Sequence, residues 1–150
     1  MIQGKWDLFY LGLAQYISSA SKDPSTKVGA VLVAENNSVL STGWNGFPAS
    51  MEDRDEWWND REAKLDRVVH AELNCLLYAN RKILPEGTCL FTWPLLPCHK
   101  CAVIMLQAGV RRFVAPEPTK TQMERWGSSF AKTRQYLMEC NSELVEYAVH

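Results

Sequence analysis

Apolar residues recur at intervals of three or four positions along the opening segment, which predicts an amphipathic helix. The predicted apolar stripe consists of Trp6, Phe9, Leu13, Tyr16, Ile17 and Ala20. Pro24 lies in the polar stretch 22–25 and predicts the end of this helix, because proline cannot continue the backbone hydrogen-bond pattern. The chain therefore begins with one helix followed by a break.

Two neighbouring segments after this break have the pattern of strands. Residues 28–33 are almost continuously apolar, as expected for a strand that is covered on both faces. Residues 38–44 predict the adjacent strand after a turn at Asn36 and Asn37, so we expect a hairpin. The acidic, tryptophan-bearing segment 46–66 lacks periodicity and predicts a long excursion with one short helix.

The second half of the chain alternates between helical and strand patterns. The predicted elements are a helix over 70–81, a strand over 88–93, a helix over 98–109, a strand over 111–115, a final helix and an edge strand over 144–147. Thr121 and Glu124 are spaced as a capping box and predict the start of the final helix. Its predicted apolar face consists of Met123, Trp126, Phe130, Leu137 and Cys140. This alternation predicts an α/β fold in which a mixed sheet lies between helices.

The composition indicates one ordinary globular domain over residues 1–150, since 47% of the chain is hydrophobic. No apolar run approaches the roughly 20 residues that a membrane span needs, so we expect no membrane partner and a cytoplasmic location. The 16 basic and 17 acidic residues leave a net charge of −1. Because polynucleotide binders usually carry a basic excess, this balance favours a small ligand over a polynucleotide.

Two short motifs carry candidate metal ligands. His70 opens one predicted helix, and Cys98 and Cys101 lie one turn apart at the start of another. Imidazole nitrogen and thiolate sulfur both bind zinc, and a catalytic zinc site keeps three protein ligands so that water can occupy the fourth position. The N-terminus of a helix also favours the thiolate form that the metal requires. These three residues therefore predict one catalytic Zn²⁺ ion per chain.

Glu72 lies two residues after the predicted histidine ligand and is the candidate catalytic proton carrier. Zinc lowers the pKa of its bound water from about 15.7 toward about 7, and a nearby carboxylate can take up the released proton. A structural zinc module would instead need a fourth ligand, for which His99, Cys75 and Cys89 are candidates. A redox protein would use the two cysteines of the second motif as a disulfide pair.

The combination of His-x-Glu with Pro-Cys-x-x-Cys resembles the signature of zinc nucleobase deaminases. Three stretches, at 21–30, 43–48 and 70–74, are similar to those of the deoxycytidylate (dCMP) deaminases of the cytidine deaminase superfamily. The resemblance runs from Leu8 to Ala115. It implies a three-layer α/β/α sandwich with about five strands. It also implies the hydrolysis of dCMP to dUMP and ammonia.

The resemblance implies partners as well as chemistry. The partners are a small-molecule nucleotide substrate and further copies of the chain in a homo-oligomer, commonly a hexamer. Many members of the family are controlled by the effectors dCTP and dTTP, and Mg²⁺ would accompany a regulatory nucleotide. These expectations come from the family and from no pattern in the sequence.

The same resemblance implies contacts with the substrate. Asn45 would touch the sugar or the base of the nucleotide, and Lys22, Thr26 and Lys27 would lie near its phosphate. Ala71, inside the first zinc motif, is a further predicted substrate contact. Each has a plain alternative, because an Asn-Gly pair also suits a turn and exposed lysines are usually only solvated.

The sequence departs from the family pattern after the predicted strand over 111–115. Many relatives have an Asp-Lys-Tyr stretch there whose tyrosine helps to hold the nucleotide, whereas residues 115–119 contain no tyrosine. Arg61 and Lys64 in the excursion are alternative candidates for phosphate binding. The substrates left open are dCTP, a 5-modified dCMP, free cytidine or deoxycytidine, and adenosine in tRNA.

Overall fold

Helices and strands alternate along most of the chain, and the computed structural model describes residues 2–149. The elements are α1 (Ile2–Ser18), β1 (Gly29–Val33), β2 (Val39–Trp44), α2 (Asp55–Trp58), α3 (Arg61–Arg67), α4 (Ala71–Tyr78), β3 (Cys89–Trp93), α5 (His99–Ala108), β4 (Arg112–Pro116), α6 (Lys120–Glu139) and β5 (Glu143–Tyr147). Within this described part of the chain, every helix is too short or too polar to cross a membrane.

The strands form one mixed sheet in the order β2-β1-β3-β4-β5. β1 is antiparallel to both β2 and β3, whereas β4 is parallel to both β3 and β5. The hairpin predicted over residues 28–44 is the β1–β2 pair, and the predicted C-terminal edge strand is β5. The expected mixed sheet of five strands is confirmed.

Helices cover both faces of this sheet. Val31 and Val33 of β1 pack with α1 in one core cluster, while Ala30 and Leu32 pack with α4 and α5 in another. Leu137 of α6 belongs to the second cluster, so α6 lies on the same side as α5. Both faces of β1 are buried, which explains its continuous apolar run. The arrangement is the three-layer α/β/α sandwich that the resemblance implies.

Only part of the apolar stripe predicted for α1 faces the sheet: Leu13 and Ile17 pack against the core, but the centre of the buried face lies elsewhere. Tyr10, Leu11 and Ala14 are buried against the sheet, whereas Phe9 and Tyr16 are 59% and 75% exposed. The physical reason is a close approach between backbones: a Cβ on Gly29 would lie 2.0 Å from the carbonyl oxygen of Ala14. Gly29 therefore lets the backbone of α1 approach the sheet at Ala14, and Phe9 and Tyr16 lie away from this contact.

The capping box that begins α6 lies two residues earlier than the predicted one. The Oγ1 atom of Thr119 accepts a hydrogen bond from the backbone N–H of Gln122 at 3.2 Å, and the Gln122 side chain accepts one from the Thr119 backbone N–H at 3.0 Å. The predicted pair of Thr121 and Glu124 is therefore wrong. Thr119 directly follows Pro118, which has no N–H to donate, and it is the first residue able to cap the helix.

The excursion between β2 and α4 folds back onto itself. Its ends meet at an isolated bridge between Gly46 and Val69. Trp58 is buried and its ring stacks on Phe47 with the ring centroids 3.9 Å apart, so this tryptophan packs the loop. The segment contains two short helices, α2 and α3, where the sequence predicts one.

A buried ion pair connects α1 to the far end of the chain. Asp7 is 2% exposed and receives two hydrogen bonds from the guanidinium of Arg112 on β4, at 2.7 and 2.8 Å. The hydroxyl of Tyr147 on β5 donates a third, at 2.7 Å. Three segments that are distant in sequence thus share one satisfied carboxylate.

Candidate metal centre and adjoining cavity

The predicted metal ligands lie together at the N-termini of two helices. His70 directly precedes α4, and Cys98 directly precedes α5, whose first turn contains Cys101. The Nδ1 atom of His70 is 3.6 Å from the Sγ atom of Cys98 and 3.4 Å from that of Cys101. One ligand atom from each residue lies within 4.8 Å of the other two. The structure therefore brings together two motifs that lie 28 residues apart in sequence.

The geometry and the donor set fit zinc. Tetrahedral bonds of about 2.3 Å to sulfur and about 2.1 Å to nitrogen place neighbouring ligand atoms roughly 3.6 to 3.8 Å apart, close to the distances found here. One imidazole and two thiols are also donors that zinc favours. Among residues 2–149, no fourth histidine, cysteine or carboxylate belongs to the cluster. Three ligands with one open position match a catalytic site.

The candidate fourth ligands of a structural site are engaged elsewhere. The ring Nδ1 of His99 is 2.9 Å from the Oγ of Ser129, and Arg112 donates to the Sγ of Cys89 at 3.5 Å. Cys75 is buried in α4. Burial raises the pKa of the Cys75 and Cys89 thiols to about 12, so neither is a thiolate at neutral pH. The described residues do not supply the fourth ligand that a structural module requires.

Hydrogen bonds within the cluster favour the thiolate form of Cys98. The Cys101 thiol donates to Cys98 and is the largest influence lowering the pKa of the Cys98 thiol, and the His70 ring acts in the same direction. The backbone N–H of Cys101 also donates to the Sγ of Cys98 at 3.4 Å, which makes Cys98 the N-cap of α5. Since zinc binds the thiolate form of cysteine, these contacts favour metal binding.

Glu72 lies in the first turn of α4, beside the cluster. Its exposed fraction is 4%, and the loss of solvent raises the pKa of its carboxyl group, an effect that the charge of His70 opposes. A carboxyl group with a raised pKa can both accept and return a proton near neutral pH. Glu72 lines the same cavity as His70 and Cys98, so the predicted proton carrier and two of the predicted metal ligands face one space.

This cavity has a volume of about 160 Å³ and opens beside the metal ligands. Three of the predicted substrate-binding residues, Thr26, Asn45 and Ala71, contribute to its lining. Ala71 is fully buried and presents only a methyl group. The cavity therefore gives access to the buried carboxyl of Glu72 beside the small side chain of Ala71.

Asn45 uses its amide group to build the cavity wall. Its Oδ1 atom accepts a hydrogen bond from the backbone N–H of Val28 at 2.9 Å. Its Nδ2 atom donates to the carbonyl of Thr26 at 3.0 Å and to Asp23 at 3.3 Å. The asparagine thus fixes residues 23–28 beside the zinc ligands. A direct contact between Asn45 and a nucleotide stays a prediction.

Lys22 and Lys27 lie on the same segment but do not line the cavity. The Nζ atom of Lys22 is 3.0 Å from a carboxylate oxygen of Asp53, and both side chains are exposed. The Nζ atom of Lys27 donates to the backbone carbonyl of Ser21. Their predicted role near a phosphate stays a prediction, because no contact in the structure tests it.

The sequence gives little indication that α6 forms one wall of the cavity. The residues that α6 contributes are Arg125, Trp126, Ser129 and Phe130. The same helix also holds the turn that carries the cysteine ligands: Ser129 accepts from the backbone N–H of His99 at 3.0 Å, and Thr133 donates to the carbonyl of Pro97 at 2.9 Å. Only the apolar spacing of Trp126 and Phe130 signals a buried face, and it does not say what that face covers.

Comparison with known proteins shows which family has this fold and site. Residues 4–117 match the family model described as the cytidine and deoxycytidylate deaminase zinc-binding region. An uncharacterized deaminase from the luxG 3′ region of Aliivibrio fischeri is 34% identical over 140 residues, which cover 93% of this chain and 92% of that protein. The deoxycytidylate deaminase of Mus musculus is 33% identical over 115 residues, which cover 73% of this chain. Only 64% of the mouse protein is covered, just under two thirds.

The fold comparison agrees with the sequence comparison. The apo crystal structure of dCMP deaminase from the cyanophage S-TIM5 matches with a TM-score of 0.70 and 26% identity. The match covers 95% of this chain and 97% of the phage chain. A three-layer sandwich with a histidine and two cysteines at paired helix N-termini defines the class of zinc-dependent deaminases. The chain belongs to the cytidine and deoxycytidylate deaminase family.

Proposed function

We propose that this protein is a zinc-dependent hydrolytic deaminase that converts dCMP and water into dUMP and ammonia. The observation that carries the proposal is the cavity that joins the ligands His70 and Cys98 to the buried Glu72. Relatives named as deoxycytidylate deaminases support the choice of dCMP. The near-neutral charge of the chain supports a small substrate over tRNA.

The reaction needs a nucleophile and a group that moves two protons. When bound, zinc supplies Lewis acidity that makes water nucleophilic at neutral pH. Glu72 takes the proton of the attacking water and delivers it to ring N3, which makes C4 more electrophilic. Glu72 then carries the second proton to the amino group, the C4–N bond breaks and ammonia leaves. Oxygen from water replaces nitrogen at C4, and a uracil ring results.

The cavity lining supports the proposed contacts with the base and the sugar. Ala71 lies between His70 and Glu72 in sequence and is fully buried, so its methyl group leaves room for a flat ring next to both. Thr26 and Asn45 form the adjoining wall, where Asn45 is proposed to face the sugar or the base and Thr26 to lie nearer the phosphate. Lys22 and Lys27 remain predicted neighbours of the phosphate, and the same kinetic assays can test them.

The experiment that tests the mechanism replaces Glu72 and leaves the metal ligands intact. We expect Glu72→Gln to lower kcat for dCMP by about 100- to 10,000-fold, because general acid and base catalysis contributes on this scale. Metal analysis should still find one zinc ion per chain, because Glu72 is not a ligand. Deamination at the wild-type rate by zinc-loaded Glu72→Gln would refute the proposed mechanism.

A substrate panel tests the choice of dCMP. The zinc-loaded protein is assayed with dCMP, CMP, dCTP, deoxycytidine and 5-hydroxymethyl-dCMP, each with and without dCTP or dTTP as effector and Mg²⁺. We expect the highest kcat/KM for dCMP. A higher kcat/KM for deoxycytidine than for every phosphorylated substrate would overturn the substrate assignment and leave the deaminase chemistry standing.

We further propose that residues 1–150 form one deaminase domain that assembles into a homo-oligomer, with the hexamer favoured. Exposed apolar side chains on neighbouring helices, including Leu77, Tyr78 and Val103, support contacts between copies. A cytoplasmic location is supported by the metal site, which requires two reduced thiols. Control by dCTP with Mg²⁺ and by dTTP is proposed from the family resemblance.

A further inference from the structure

The lining of the cavity contains more cationic than acidic side chains. Three cationic side chains contribute to the lining besides His70, and they are Arg61 and Lys64 on α3 and Arg125 on α6. The acidic residues in the same lining are Asp23 and Glu72. A cation that is already paired with a carboxylate of the protein is not available to bind a charged group of the substrate. The partners of the three cations therefore matter.

Lys64 is neutralised by Asp23. Its Nζ atom is 3.1 Å from a carboxylate oxygen of Asp23, and the two side chains are only 12% and 7% exposed. That carboxylate also accepts hydrogen bonds from the backbone N–H groups of Ser25 and Thr26, at 2.8 and 3.2 Å. This buried pair holds the cavity wall in place and offers no free charge to a ligand.

Arg61 and Arg125 are placed differently. Within the described residues, neither guanidinium has a carboxylate partner, and that of Arg125 stacks over the ring of Trp126 at 4.4 Å. Both arginines are exposed, while Glu72 and Ala71 are buried. The two cations therefore lie toward the solvent end of the cavity, and the groups that act on the base lie at its floor.

We propose that Arg125, together with Arg61, forms the subsite that holds the 5′-phosphate of the substrate; this rests on the proposed function. A nucleotide whose C4 amino group reaches Glu72 extends its sugar and phosphate toward the open end. Two unpaired guanidinium groups match a phosphate dianion in charge and in hydrogen-bond geometry. The stacking of Arg125 on Trp126 limits its motion and orients its donors.

This assignment explains how the chain selects a monophosphate without the tyrosine that residues 115–119 lack. The phosphate contact comes instead from the following helix, α6, which begins at Lys120 and lies beyond the family-model match at residues 4–117. Because the phosphate group remains unchanged by the reaction, Arg125 determines substrate preference and does not act on the reacting atoms.

The test compares a phosphorylated substrate with its nucleoside. We expect Arg125→Gln to lower kcat/KM for dCMP by about 10- to 100-fold, the scale of a lost hydrogen bond to a charged group. The kcat/KM for deoxycytidine should change by less than about twofold, and Arg125→Lys should restore part of the dCMP activity. Calorimetry should show weaker binding of dUMP and unchanged binding of deoxyuridine.

Arg81→Gln is the matched control, because Arg81 is exposed and lies outside the cavity lining. It should leave both substrates unaffected. Equal losses for dCMP and deoxycytidine in Arg125→Gln, or no loss for either substrate, would overturn the phosphate subsite alone. A zinc-loaded wild-type protein that does not deaminate dCMP would remove the proposed function, and the subsite with it.

Discussion

Burial and hydrogen bonding give the cysteines of this protein different chemistry. Cys75 and Cys89 are buried, and burial raises the pKa of both thiols to about 12. Cys98 and Cys101 belong with His70 to the candidate metal cluster, while Cys140 is exposed at the end of α6. Since the thiolate is the nucleophile, these environments set the order in which the residues react.

Alkylation followed by mass spectrometry tests that order. In the zinc-loaded protein at pH 8, we expect iodoacetamide to modify Cys140 and to spare the other cysteines. Removal of zinc with a chelator should expose Cys98 to rapid modification, because the pKa of its thiol is lowered by Cys101. Cys75 should react only after unfolding. Modification of Cys75 in the native protein would contradict its assigned burial.

Some residues of the site can be predicted from the sequence and others cannot. His70 and Cys98 are found from sequence because each belongs to a short motif, His-x-Glu or Pro-Cys-x-x-Cys, and the two cysteines of the second motif lie one helical turn apart. Arg125 is not found, because a single arginine in a helix has no local pattern that distinguishes a solvated charge from a ligand contact. Its position beside the cavity depends on the packing of α6, which local spacing does not encode.

A close contact between elements positions Glu72. Gly43 in β2 lies under α4, and a Cβ at this position would be 2.4 Å from the backbone nitrogen of Cys75 and 2.6 Å from the carbonyl oxygen of Ala71. These are backbone atoms and cannot rotate away. The helix that carries Glu72 therefore rests on the sheet only because residue 43 has no side chain.

We expect Gly43→Ala to push α4 away from the sheet. The strain should lower the free energy of unfolding by about 1–3 kcal/mol, as for other overpacked contacts. It should also lower kcat, because Glu72 moves relative to the cysteine ligands. Gly12→Ala is the control, since a Cβ there meets nothing within 4 Å, and it should leave stability unchanged or raise it. Thermal unfolding and dCMP kinetics measure both effects, and equal behaviour of the two variants would contradict the contact.

Element order, the hairpin and the helices that carry the metal ligands could be predicted from sequence, because each has a clear period. The face of α1 could not be predicted, since aromatic residues occur on both sides and Ala14 is selected by its contact with Gly29. The sequence predicts one short helix in the excursion, whereas the structure has two. Both α2 and α3 are too short to show a period in the sequence. Tertiary contacts decide these features.

Asp7 joins α1 to β4 and β5, three segments that are distant in sequence. It receives hydrogen bonds from Arg112 and Tyr147 and is 2% exposed. We expect Asp7→Ala to lower the free energy of unfolding by about 3 kcal/mol, because Arg112 loses its buried, doubly hydrogen-bonded carboxylate and keeps the ion pair with the more exposed Glu143. Urea unfolding measures this loss, and zinc content per folded molecule should stay the same.

The Arg134–Glu146 pair provides the comparison for this prediction. It links α6 to β5, but its side chains are 36% and 24% exposed. We expect Glu146→Ala to cost less than about 1 kcal/mol, as for exposed ion pairs. A loss as large as that of Asp7→Ala would show that burial does not decide the strength of these pairs.

The position of α6 has a consequence for how such enzymes diversify. Bond cleavage is assigned to residues before 117, whereas one side of the binding cavity comes from a helix that begins at Lys120. A recombination event at this single junction would exchange the accepted molecule and keep the hydrolytic apparatus, provided that the incoming helix retains the hydrogen bonds of Ser129 and Thr133 to the cysteine turn. Chimeras that carry the terminal helix of a relative are therefore a direct route to altered selectivity.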